Sequence, residues 1–176
     1  MQSQEIIHIA GGPAYSEFRK EKLLGKLQTI NKLIEDIHSE YIHIAWCEKK
    51  ITENDKTTIE KILHYGPQSQ ILKFKDNAII TMPRPGTISP WASRATDIAN
   101  HCGLSDIKRI ERAVAVYIEL KNETLLSENE KKALSAFLQD SSKSLEYKCD
   151  YTRLDVFKNA STCCTMNFVS ITEFSI

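Results

Sequence analysis

The stretch Glu40-Tyr-Ile-His-Ile-Ala-Trp-Cys-Glu-Lys49 decides the fold class. Ile42, Ile44 and Trp46 fall on one side of an extended chain, and Tyr41, His43 and Ala45 on the other. Such alternation marks a strand whose two faces meet different surroundings. In a doubly wound parallel sheet both faces are covered and strands read as continuous apolar runs. Working outward, "EIIHIA" (5–10) predicts a strand closed by Gly11-Gly12-Pro13, and Ser16 caps a helix over 17–30 with Phe18, Leu23, Leu24, Leu27 and Ile30 on its stripe. Thr52 caps a second helix, "ENDKTTIEKILHYG", with Ile59, Ile62 and Leu63 apolar and a Gly66-Pro67 stop. "AIIT" (78–81) is a short strand, "DIKRIERAVAVYIEL" (106–120) a long one, and Ser127 caps a helix running to about Leu138.

Between those last two strands lies "TMPRPGTISPWASRATDIANHCG" (81–103). Pro85-Gly86 suits the centre of a type II turn. Ser89-Pro90 is a helix start, the serine capping and the proline standing where its missing N–H costs nothing. Ala95, Ile98, Ala99 and Cys102 recur at helical spacing before the Gly103 stop. A helix entrance beside Arg84, Thr87 and Ser89 suits an anion or a partner's carboxylate, although capping, turn formation and Trp91 packing account for the same residues.

The order strand–helix–strand–helix, repeated, permits a parallel sheet. The alternation in 40–49 favours an α+β fold instead: two fused ferredoxin-like halves, mainly antiparallel, with helices packed on one face. From 141 onward clean periodicity is lost, until "TMNFVSITEF" alternates again.

Composition excludes several classes. The 176 residues carry 23 Lys+Arg and 23 Asp+Glu, which offers no electrostatic reason to expect nucleic acid or an anionic membrane as partner. No apolar run has bilayer length, and "MQSQEIIHIAGG" lacks the features of a signal peptide, so a cytoplasmic protein is expected. The five cysteines (Cys47, Cys102, Cys149, Cys163 and Cys164) form no C-x-x-C or zinc spacing and are expected to be reduced thiols; no metal is implied. His8 and His43 can fall on neighbouring strands, where core or sheet-surface histidines outnumber ligands. Arg109 and Glu111 share one face of their strand and Arg112 takes the other, which suits an ion-pair ladder or an interdomain contact. The charge run at 52–61 reads as a solvated helix face.

"PRPGTISPWASRATDIANHCGL" resembles the signature segment near the N-terminus of the large, single-chain phosphoribosylformylglycinamidine synthases of purine biosynthesis. "GGPAYSEFRKEKLLGKLQ", "EYIHIA", "ILHYGP" and "IKRIERAVAVYIE" resemble that family's flanking elements in order, and "LDVFKNASTCCTMNFVSI" lies loosely on the segment before its linker. The resemblance implies that 1–140 is a PurS-like N-terminal domain, with 141–176 a divergent tail leading towards the linker region. The family's enzymes use ATP and glutamine to make an amidine from formylglycinamide ribonucleotide, through a synthetase region and a glutaminase region. A PurS-like domain carries neither the ATP site nor the glutaminase triad, so this chain is expected to bind no cofactor, ATP and magnesium belonging to the full-length enzyme, and to have no catalytic residue of its own.

Its implied partners are the synthetase and glutaminase regions, in the same chain or in trans, with self-association also open. Its implied contact residues are Arg84, Pro85, Gly86, Thr87, Ser89, Trp91 and Arg94, with Arg109, Glu111 and Arg112 secondary. Three departures stand out. Ala113 replaces a usual glycine, and Ala92-Ser93-Arg94 a Ser-Ser-Lys. After the fourth helix, "LQDSSKS" keeps only Asp140 of a His-Asp-Arg-Met-Thr-Glu motif. A free-standing paralogue acting as a binding or regulatory protein is the alternative.

Overall fold

A computed structural model describes residues 5–66, 77–81, 88–121 and 124–142, with side chains as far as 138. Eight elements follow in strict alternation: β1 (Glu5–Pro13), α1 (Glu17–Ile30), β2 (Ile34–Cys47), α2 (Glu53–Leu63), β3 (Ala78–Thr81), α3 (Pro90–His101), β4 (Ile107–Leu120) and α4 (Glu128–Ser142). The strands form one sheet in the order β1-β2-β4-β3. Every neighbouring pair is antiparallel, with β2 and β4 paired from Ile34↔Leu120 to Cys47↔Ile107. The fold is α+β, a βαβα unit repeated twice, consistent with two ferredoxin-like halves sharing a sheet.

The repeat is close. β2 and β4 are both 14 residues long. The starts Glu5 and Ala78, Glu17 and Pro90, and Ile34 and Ile107 are separated by the same number of residues. Ser16 and Ser89 cap α1 and α3 alike, each accepting a bond from the backbone N–H three residues on. Thr52 and Asp55 close a reciprocal capping box on α2.

All four helices lie on one face. Leu23 and Leu27 of α1 and Leu134 and Leu138 of α4 pack on Ile34, Ile37, Ile79, Val116 and Ile118. Ile59 and Leu63 of α2 and Ala95 and Ala99 of α3 pack on Ile9, Ala45, Cys47, Ile107 and Ile110. Among the described residues the opposite face is built from strands alone. Its apolar centre is Ile44 and Ala113 with Ile6, Ile42, Trp46 and Ile80. Beside it the Tyr117 hydroxyl donates to the Glu40 carboxylate, and burial, reinforced by that carboxylate, raises the Tyr117 pKa.

Several boundaries differ from the sequence reading, with β2 ending at Cys47 and α2 at Leu63 rather than at 49 and 66. β2 begins at Ile34 rather than Glu40, because a register shift between Ile34 and Asp36 interrupts the alternation. β1 continues through Gly11-Gly12 to Pro13, with an irregularity between Ala10 and Pro13 that lets Pro13 pair with Glu40. α4 runs on to Ser142. The type II turn at Pro85-Gly86 and the alternating tail lie outside the described residues.

Gly11 is fixed by contact. A Cβ there would lie 2.7 Å from His43 Cε1 and 2.9 Å from the Tyr41 carbonyl oxygen. Gly11→Ala is therefore expected to destabilise the domain by about 1–3 kcal/mol through overpacking. Urea unfolding tests this, and an unchanged midpoint would show that β1 yields freely.

Candidate functional site

The two helix-face clusters leave a seam across the middle of the sheet. His43 and Arg112 are opposite one another in register on β2 and β4, and Tyr41 lies opposite Val114. Tyr41 and Tyr65 therefore enter a site that the sequence reading had not assembled. Tyr65 follows α2, just before Gly66, which takes a positive φ of 80°.

α3 supplies the remaining wall, and its entrance is tightly determined. Ser89 Oγ accepts from Ala92 N at 3.0 Å and donates to Glu111 Oε1 at 3.1 Å. Pro90 follows in the first turn. Further along, Thr96 Oγ1 donates to the Ala92 carbonyl at 2.8 Å and accepts from Ile110 N at 2.9 Å, so a backbone N–H of β4 is satisfied by the helix. With Ala92, Ala95 and Ala99 turned to the sheet, Trp91 is set on the seam.

The Trp91 ring stacks on His43, with centroids 5.4 Å apart and planes at 21°. The Arg112 guanidinium carbon lies 4.6 Å from the Trp91 ring centroid and 4.2 Å from that of Tyr41. Arg112 Nη1 donates to Tyr65 Oη at 3.4 Å, and that hydroxyl lies 2.7 Å from His43 Nε2. Tyr65, at 39 % exposure, forms the rim, and His43, at 0 %, the floor. Burial, with the neighbouring Arg112 charge, pushes the His43 pKa down to about 4.

Of the residues named from sequence, Ser89, Trp91 and Arg112 meet at or beside this seam. Arg94 stands on the exposed side of α3, away from the sheet. Arg109 and Glu111 do share a face: Arg109 Nη2 donates to Glu111 Oε2 at 2.6 Å, and the Glu111 side chain is 1 % exposed. Arg84, Pro85, Gly86 and Thr87 lie outside the described residues. His8 pairs with Ile44 and His43 with Ile9, so the two imidazoles project from opposite faces and form no joint site.

Two other groups bear on the chemistry. The Cys47 thiol, buried and near Glu5 and Asp106, has its pKa pushed up to about 12 and stays protonated at neutral pH. Asp36, His38 and Glu119 gather at one end of the helix-free face, with His38 Nε2 3.6 and 3.5 Å from the two carboxylates. Lys20 Nζ already bonds Asp36 at 2.8 Å. Burial alone would raise the Asp36 pKa, but hydrogen bonds from Lys20 and the Ile37 backbone N–H, with the Lys20 and His38 charges, together outweigh it and hold the pKa below its usual value.

The architecture is that of a duplicated βαβα domain with an aromatic and cationic seam at the junction of its halves. A family model described as the formylglycinamide ribonucleotide amidotransferase N-terminal domain matches residues 40–150. That span exceeds half of the chain and takes in the α3 entrance, β4 and α4. The chain belongs to this family, as the signature segment led one to expect. Among the described residues no helix is long and apolar enough to cross a membrane.

The seam carries a pH dependence whose sign is fixed. His43 is harder to protonate folded, at about 4, than unfolded, near 6.5. Its contribution is fully present above about 6.5 and is lost as the pH falls towards 4, amounting to about 3 kcal/mol at most. Thermal unfolding is expected to show stability falling over that window, and less steeply in His43→Phe. Equal slopes in both proteins would remove His43 as the cause.

Proposed function

We propose that this chain serves as the N-terminal docking domain of a phosphoribosylformylglycinamidine synthase, presenting the α3 entrance and the seam to the synthetase region. The observation that carries the reading is the family match across 40–150, a span that includes Ser89, Trp91 and Arg112. The local chemistry supports it. Trp, Tyr and Arg are the residue types that dominate the energetics of protein interfaces, and here they are grouped on one rigid surface.

On this reading the domain does not perform the ATP- and glutamine-dependent conversion of formylglycinamide ribonucleotide to the amidine. ATP and magnesium are held by the synthetase region, and glutamine by the glutaminase region. The role of the domain is to fix how those regions are arranged, and it acts in the cytoplasm with them. The charge balance favours neither nucleic acid nor membrane as a further partner.

The loss of all but Asp140 from the expected motif at the C-terminal end of α4 favours a second reading, a paralogue that kept the fold and binds something else. One experiment separates the two. The chain is mixed with a family synthase lacking its own N-terminal domain, and glutamine-dependent amidine formation and co-elution on a sizing column are measured. Docking predicts restored turnover and a stable complex, both weakened at least tenfold by Trp91→Ala, with the fold verified by circular dichroism. No complex and no turnover would favour the paralogue. Unchanged docking by a folded Trp91→Ala would remove the seam from the interface.

A further inference from the structure

The two halves repeat their backbone but not their chemistry, and the difference is concentrated at the seam. Aligning the repeats by element starts, Trp91 corresponds to Phe18, Arg112 to Ser39, Tyr41 to Val114 and His43 to Val116. Phe18 is 75 % exposed, whereas Trp91 is half-buried against His43 and Arg112. Ser39 has a structural task, its Oγ accepting from Tyr15 N at 3.0 Å. Val114 and Val116 pack in or against the apolar cluster under α1 and α4. One junction position is thus filled for packing, and its counterpart holds a cation flanked by aromatic rings.

The Arg112 guanidinium has no carboxylate partner among the described residues; Glu111 Oε1 accepts only from the Arg112 backbone N–H, at 3.3 Å. The nearest in sequence, Glu111, projects to the other face, where its carboxylate is engaged by the Arg109 guanidinium and the Ser89 hydroxyl. Tyr41 and Trp91 hold the Arg112 guanidinium in place, and its one hydrogen bond to a side chain, to Tyr65, is long at 3.4 Å. A planar donor fork, already immobilised and with N–H groups to spare, matches a carboxylate, which it can engage with two parallel bonds. Prior immobilisation lowers the entropic cost of that contact. A dianionic phosphate would call for further cations or backbone donors, and the described part of the seam supplies one cation.

We infer that Arg112 is the receptor for a carboxylate side chain of the protein region on which this domain docks. The inference rests on the docking reading and specifies the partner's chemistry: an Asp or Glu seated against the Arg112 fork, with Trp91 and Tyr65 around it excluding water.

The test uses the isolated chain, so that it can fail separately from docking. Isotope-labelled protein is titrated with capped aspartate (N-acetylaspartate methylamide) and, at matched ionic strength, with inorganic phosphate, following the Trp91 indole N–H and Arg112 Nε–H resonances. The expected result is a saturable shift of both with capped aspartate. It is to be absent in Arg112→Gln, weakened roughly tenfold in Arg112→Lys, where the charge stays but the fork is lost, and unchanged in Lys61→Gln on α2. No saturable shift, a shift surviving in Arg112→Gln, or tighter binding of phosphate than of capped aspartate would overturn the assignment. Should Arg112→Gln fail to fold, the lysine variant decides, and binding as tight as in the parent chain overturns it. A complex with the synthase that forms undiminished with the folded Arg112→Lys variant would likewise overturn this assignment while leaving docking intact.

Discussion

The antiparallel pairing of β2 with β4 is the constraint on which the rest of the molecule depends. These are the two longest strands, they run the full length of the sheet, and they belong to different halves. Their pairing converts two βαβα units, each with only two strands, into one four-stranded sheet broad enough to support a helical layer. It also fixes which helices are neighbours. Because β2 and β4 run in opposite directions, the start of one lies beside the end of the other. α1 therefore shares a core with α4, and α2 with α3, each cluster drawing residues from both halves. Neither half can bury its own helices without the other.

That arrangement explains why a seam exists where the proposed docking contact lies. Two apolar clusters centred at opposite ends of a sheet leave a strip between them. In this chain the strip is not closed with aliphatic side chains throughout. His43, buried without charge, forms a floor; Trp91 lies flat on it because Ser89 and Pro90 set the direction of α3; and Arg112 is laid against the ring. The same cap that starts the helix also ties it to β4, since Ser89 bonds the Glu111 carboxylate. Capping, sheet edge and seam form one connected structure, so the aromatic and cationic groups are pre-positioned rather than recruited on binding.

Much of this was legible in the sequence wherever local chemistry decides structure. Ser16, Thr52 and Ser89 announced their helices, "AIIT" matched β3 residue for residue, and the alternation at 40–49 separated the two sheet faces correctly. It failed where strand pairing overrides local pattern. Asp36 looks like part of a loop but is paired with Glu119 of β4 past the irregularity at Glu35, and Gly11-Gly12-Pro13 look like a stop but continue β1 past an irregularity. The placement of Arg109 and Glu111 on one face and Arg112 on the other followed from strand parity alone and matches the geometry. Tyr41 and Tyr65 went unrecognised because nothing local to either residue signals the other. They come together around Arg112 only after β2 and β4 have paired and α2 has packed on the sheet. The family resemblance marked α3 as important, but the partners of α3 are a product of the tertiary fold.

The central claim is that this seam, rather than the helix-free face of the sheet, meets the synthetase region. Hydrogen–deuterium exchange of the chain, alone and mixed with a family synthase lacking its N-terminal domain, tests it most directly. The account predicts added protection in peptides covering 64–66 and 88–94, at the rim and the α3 entrance, with α1 unchanged. No added protection at 88–94, or protection confined to peptides from β1 and β3, would contradict it.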